Sequence, residues 1–209
     1  MNKRNMELSD KEYVEIAEKL DAEQMILDET EIINNQYENL LKNRIILIND
    51  VISDLTIEKV VMPLLQMDND GTGKKITIYI NTNGGSVHDG LVLCNIIERL
   101  KTPTDIIVLG YAYSMGSIIL MSGKNNTNVT RYCYPFSTAL IHGGSAYVSG
   151  TSSQVKDYFK FNEKFEKRIA DFIVSHTNLS EDDYIAIERY EAYMDSTEML
   201  EKGLVDEIL

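Results

Sequence analysis

Four positions in this 209-residue chain combine a useful group with a useful setting: Ser114, His142 and the pair Gly84-Gly85. Ser114 stands where the apolar run Ile106-Ile-Val-Leu109 passes through Gly110 and gives way to Met115-Gly-Ser-Ile-Ile-Leu-Met121. A serine between a strand and a helix sits at a surface edge, and the first amides of that helix point at any anion beside it. Serines also cap helices routinely, so the placement alone reads as a cap. Position 112 is alanine, so the glycine-flanked elbow G-x-S-x-G of many hydrolases is not formed. His142, one of three histidines, closes a second apolar run, Thr138-Ala-Leu-Ile141, just before Gly143-Gly144. An imidazole so placed can take a proton from a serine hydroxyl near neutral pH. His88 and His176 read as surface residues with structural or neutral roles. Gly84-Gly85 lies in the polar turn Asn81-Thr-Asn-Gly-Gly-Ser86. Backbone without Cβ lets N–H groups approach a reacting carbonyl closely, although the same pair also makes an ordinary tight turn.

The elements that must position these groups follow from periodicity. Arg44-Ile-Ile-Leu-Ile48 reads as a buried strand, followed by a helical pattern from Ile57 to Met67. Ile76–Ile80 is a second strand, and the glycine turn leads from it into a helix holding Val92, Leu93, Ile96, Ile97 and Leu100. Ile106–Leu109 is the third strand and Thr138–Ile141 the fourth. Successive strand-to-helix units with right-handed crossovers make this an α/β fold. A long helix over residues 151–174 carries Val155, Tyr158, Phe165, Ile169 and Phe172 on one stripe, and a stripe of that length needs a cover. Ser180 and Ser196 each cap a further helix, and Gly203 ends the last one before a strand over Leu204–Ile208.

Composition excludes several classes of function. Twenty basic against 33 acidic residues give a net charge of −13, the wrong balance for a surface that tracks phosphates, so nucleic acid is not an expected partner. Residues 1–41 hold four basic and eleven acidic side chains, more than half of that imbalance. Ser9-Asp-Lys-Glu12 has the spacing of a capping box, and Tyr13, Ile16, Ala17 and Leu20 recur at helical intervals after it, which predicts an acidic helical extension over 1–39 ahead of a domain over 40–209. No apolar run is long enough to span a membrane, and the start lacks the apolar core of a signal peptide, so a cytoplasmic protein is expected. Cys94 and Cys133 show neither CxxC nor metal spacing and read as two buried thiols.

Five stretches occur in the order and approximate spacing of one family's landmarks: Leu40-Leu-Lys-Asn-Arg-Ile-Ile-Leu47, Tyr79-Ile-Asn-Thr-Asn-Gly-Gly-Ser-Val87, Tyr113-Ser-Met-Gly116, Leu140-Ile-His-Gly143 and Gly203-Leu-Val-Asp-Glu-Ile208. On these the chain resembles the ClpP-like serine peptidases over residues 40–209. The resemblance implies stacked strand-helix units of the ClpP/crotonase type with a projecting handle helix. It makes Ser114 the nucleophile, His142 the general base, and the backbone amides of Gly85 and Met115 the oxyanion hole of an acyl-enzyme mechanism. No metal or other cofactor is required. Counting back without gaps from Gly203 puts Glu191 at the place of the third catalytic residue, normally aspartate, with Asp195 as the rival after a shift of four residues. Tyr190 falls where many members carry an arginine used between rings, Asn83 replaces a usual proline, and Tyr113 replaces a small residue beside the nucleophile. The resemblance further implies heptameric rings stacked through the helix over 151–174, unfolded proteins or peptides as substrates, and an ATP-driven AAA+ unfoldase as partner.

Two other readings compete with an active peptidase. One is a catalytically altered paralogue that serves as a structural or regulatory ring subunit. The other is an acyl-CoA hydratase or isomerase of the crotonase type, which shares the stacked units and a two-amide oxyanion hole. That chemistry needs carboxylates for acid-base work where this chain offers serine and histidine.

Overall fold

The computed structural model describes residues 31–209 together with Lys19 and Gln24. The expected capping box at Ser9–Glu12 and the stripe from Tyr13 to Leu20 lie outside the described residues. Residues 31–42 form a helix, α1, which belongs to one unit of the chain, and Arg44–Leu209 forms a second, compact one.

Among the described residues of the second unit, seven strands make one sheet. Its backbone is the parallel series β1 (Ile45–Ile48), β2 (Ile76–Thr82), β3 (Thr104–Tyr113), β4 (Val129–Cys133) and β7 (Glu207–Ile208), adjacent in that order. The central strands are buried by Ile46, Ile48, Ile76, Ile78, Ile80, Ile106 and Val108, as expected for parallel strands that face protein on both sides. The helices are α2 (Met62–Asn69), entered through a π-helical turn at Ile57–Val61, then α3 (Val87–Ile97), α4 (Met115–Met121), α5 (Ser152–Ser175), α6 (Glu181–Arg189) and α7 (Ser196–Glu201).

The length of β3 decides where the chemistry can sit. Its first half pairs with β4 up to Val108–Cys133, and its second half pairs with β5 (Thr138–Ile141) over Tyr111–Tyr113. The chain leaves β4 through a turn in which the buried Ser137 hydroxyl donates to Val108 O at 2.9 Å, closing the gap between β4 and β5. The β2–β3 register slips between Ile80 and Thr82, so Ile80 faces Val108 but Thr82 faces Ala112. Beside that slip the Asn81 carboxamide lies over Gly110, where a Cβ would come within 2.7 Å of its oxygen. Bulges of this kind re-aim a strand end.

Several expectations are corrected by the structure. The strand β4 has no apolar signature in the sequence, because its inward alternation, Val129, Arg131, Cys133, puts a charge in the core. Arg131 is fully buried; its guanidinium donates to Gly203 O and Leu204 O at 2.8 and 2.9 Å and forks onto the Asp206 carboxylate. The last strand is two residues long instead of five, since this pairing and not a ladder holds residues 203–206. A three-residue strand, β6 (Ala192–Met194), runs antiparallel to β5. Asp195, not Ser196, caps α7, and its carboxylate accepts from Glu198 N at 2.9 Å. His176 is buried, not a surface residue: Nε2 donates to Glu98 Oε1 at 2.9 Å and the ring stacks on Phe172 at 3.9 Å. Ser180 does cap α6, and Gly203 adopts the left-handed conformation (φ 73°) that ends α7. Both cysteines are free and buried, and burial pushes the Cys94 thiol up to about 12 and the Cys133 thiol up to about 11, which leaves them protonated and unreactive.

Candidate active site

Ser114 begins at a backbone position that few side chains tolerate. Its φ of 54° and ψ of −119° place it, with Arg44, among the non-glycine residues at positive φ, a conformation that costs on the order of 1–3 kcal/mol. The surroundings over-determine it. Ser114 N donates to Leu140 O at 2.9 Å, and the buried Ser117 hydroxyl bridges the ends of β3 and β5 through the carbonyls of Ala112 and Leu140 at 2.6 and 2.7 Å. Gly116 lets α4 close on β2, since a Cβ there would lie 2.8 Å from Thr82 Cγ2.

The capping role that serine ordinarily plays is absent here. The Ser114 side chain makes no cap hydrogen bond to α4; its Oγ lies 2.9 Å from His142 Nε2. The register explains the meeting, because Tyr113 pairs with Leu140 and the two parallel strands therefore end side by side, with Ser114 and His142 just past their ends. With the imidazole proton on Nδ1, the serine hydroxyl donates to Nε2, the geometry a nucleophile and its base require.

The glycine turn packs against this elbow. Gly84, at φ 93°, is so close that a Cβ would lie 2.6 Å from Tyr113 O and 2.8 Å from Met115 N. Gly85 forms an isolated parallel bridge with Ile52: Ile52 N donates to Gly84 O at 2.9 Å, and Ser86 N to Ile52 O at 2.8 Å. In such a bridge the neighbours of Gly85 make the bonds, so its own N–H faces away from Ile52. Met115 is the first residue of α4, where the amide has no intrahelical acceptor.

A cavity of about 290 Å³ opens beside Ser114 and His142. Val87, Ile118, Ile141, Ile169 and Ile173 supply apolar walls, with Tyr184 and Glu166 also lining it. The α5 residues were not legible as site residues, although Glu166, Ile169 and Ile173 fall at i, i+3 and i+7 and so share one helix face. The stripe assigned to α5 is partly covered within the chain itself: Phe165 stacks on His88 with ring centroids 5.1 Å apart, and Phe172 on His176.

Glu191 is not brought onto His142 in this structure. Its Oε2 accepts the Tyr193 hydroxyl at 3.0 Å, and that bond holds the Tyr193 phenol above its ordinary range. The register nevertheless places it nearby, for β5 and β6 pair Leu140 with Tyr193 and Ile141 with Ala192, and the next pair in that series is His142 with Glu191. Asp195, the rival, is committed to its helix cap. Among the described residues no group of three or more His, Cys, Asp or Glu is placed to hold a metal, and no helix is long and apolar enough to cross a membrane.

Comparison with known proteins identifies the family. The family model described as Clp protease matches residues 28–209. An ATP-dependent Clp protease proteolytic subunit of Deinococcus radiodurans is 31 % identical over 173 residues, covering 83 % of this chain and 83 % of the relative. A protein of the same name from Carsonella ruddii is 30 % identical over 173 residues, covering 83 % of this chain and 87 % of the relative. With a match that spans both the Ser114 elbow and the His142 strand end, the chain belongs to the Clp protease family of serine peptidases.

Proposed function

We propose that the chain hydrolyses peptide bonds of unfolded proteins inside an oligomeric chamber, with Ser114 as nucleophile and His142 as general base. The observation that carries this reading is the 2.9 Å approach of Ser114 Oγ to His142 Nε2, made by a serine held at positive φ whose side chain makes no cap bond to α4. His142 removes the hydroxyl proton as Oγ attacks the scissile carbonyl. The resulting oxyanion sits against the amides of Gly85 and Met115. His142 then returns the proton to the leaving amine, and water releases the acyl-enzyme by the same route. Residues 40–209 form the peptidase domain and residues 1–39 an acidic extension.

Glu191 completes the triad by turning from Tyr193 to the Nδ1 side of His142, where a carboxylate holds the correct tautomer and stabilises the imidazolium. Glu191→Gln therefore lowers kcat about tenfold or more with little change in KM, since the lost interaction grows mainly in the transition state. Tyr193→Phe removes the competing donor and raises kcat. Asp195→Asn keeps a side-chain oxygen to cap α7 and leaves kcat within a factor of about two. Steady-state kinetics on the three variants checks this, and a silent Glu191→Gln would remove Glu191 from the mechanism.

Assembly follows from α5, on which Phe159 and Phe161 remain 55 % and 56 % exposed. Large exposed aromatics on a projecting helix call for a partner surface, and a second copy of α5 from an opposing ring supplies one. The working form is a seven-membered ring in the cytoplasm, fed by an AAA+ unfoldase. Native mass spectrometry at micromolar concentration is expected to show multiples of seven. A monomer alone would contradict the chamber, and a single ring would point to Tyr190 at the ring-to-ring contact.

A further inference from the structure

The cavity beside Ser114 has an unusual charge layout. Apart from His142 itself, Glu166 carries the one ionisable carboxyl or amine among the described residues that line it. Burial along α5 falls from Ile173 (2 % exposed) through half-buried Ile169 to exposed Glu166, so the cavity is apolar at its inner end and acidic at its outer end. Asn162 Nδ2 donates to Glu166 Oε1 at 2.6 Å, which fixes the carboxylate on its helix face. A carboxylate has about four acceptor sites, so Oε2 and the spare lone pair of Oε1 remain available to a ligand.

We propose that Glu166 makes this enzyme prefer peptides with lysine or arginine immediately before the scissile bond. The inference rests on Ser114 being the nucleophile, because only then does the cavity receive that side chain. A long basic residue matches the gradient: its methylene stem lies along Ile118, Ile169 and Ile173, and its cationic end reaches Glu166 at the wetter rim. An arginine there can donate in a fork to the carboxylate, a lysine as a point charge. An acidic residue in the same position would put two carboxylates together and is excluded by their repulsion. A bare i,i+4 pair of Asn162 and Glu166 on a solvated helix would carry no such consequence. What distinguishes this one is its place on the wall of the cavity that holds the reacting serine.

The test uses the assembled protein and fluorogenic peptides that differ only at that residue: lysine, arginine, norleucine, methionine or glutamate. Norleucine is lysine without its charge, so the lysine-to-norleucine ratio of kcat/KM within one variant isolates the ammonium and cancels any general loss of activity. In wild type the ratio is expected to be at least fivefold and to shrink as salt rises. Glu166→Gln brings it to about one, and Glu166→Lys brings it below one while improving the glutamate peptide relative to norleucine. A wild-type ratio of one or less, or a ratio that Glu166→Gln leaves unchanged, overturns the inference while norleucine cleavage upholds the nucleophile. Failure to cleave any peptide overturns both.

Discussion

Ser114→Ala is expected to abolish cleavage of short peptides while leaving the fold and assembly as they are. The hydroxyl's hydrogen bond is to His142, and it neither caps α4 nor fills the core. Its removal thus deletes chemistry without opening a cavity. Loss of a nucleophile from a serine-histidine unit costs roughly four or more orders of magnitude in kcat, and the residual rate comes from the oxyanion amides and substrate binding. Because alanine inherits the same φ of 54°, the elbow keeps its strain and the variant melts close to wild type. His142→Ala falls to a similar level, and the double variant falls little further, since the two act as one unit. Activity of Ser114→Ala within tenfold of wild type would sink the assignment.

The largest expected loss of stability belongs to a residue far from the chemistry. Arg131 has no exposed surface, and its charge is answered by Asp206, which also accepts Arg131 N at 2.9 Å. Asp206→Ala leaves that guanidinium buried with only the carbonyls of Gly203 and Leu204, and breaking a buried pair from one side costs about 3–5 kcal/mol. For a unit of this size the melting temperature drops by on the order of 10 °C. Replacing both partners by apolar residues, Arg131→Met with Asp206→Leu, recovers much of the loss, because the penalty lies in the unpaired charge. Thermal unfolding of the two variants checks this, and a single variant that melts within about 2 °C of wild type would show that water reaches Arg131.

The same pair shows why part of the fold was hidden in the sequence. Strands with apolar residues at each inward position, such as Ile76–Ile80 and Ile106–Leu109, announce themselves by pattern. Val129-Thr-Arg-Tyr-Cys133 does not, because its central inward residue is a cation whose partner is 75 residues away. The three residues of β6 are too few to show any period.

Legibility of the site divides along a similar line. Ser114, His142 and Gly84-Gly85 stand at element ends, where a change of pattern marks them, and the register of β3 with β5 then brings the first two together. Glu191 could be reached only by counting along the chain, and its proximity to His142 depends on β6, which no local pattern revealed. Glu166 carried no signal at all as a site residue. On a helix that carries several carboxylates, only the folded arrangement, in which Glu166 lines the same cavity as Ser114 and Met115, tells which of them meets it.

The most direct test of Ser114 as an activated nucleophile is reaction of the purified protein with a fluorophosphonate, read by intact mass and by mapping the modified peptide. One adduct per chain on Ser114, lost in Ser114→Ala and strongly slowed in His142→Ala, is the result expected from the 2.9 Å contact between their side chains. A folded, assembled protein that stays unlabelled, or one labelled at a different serine, would contradict it.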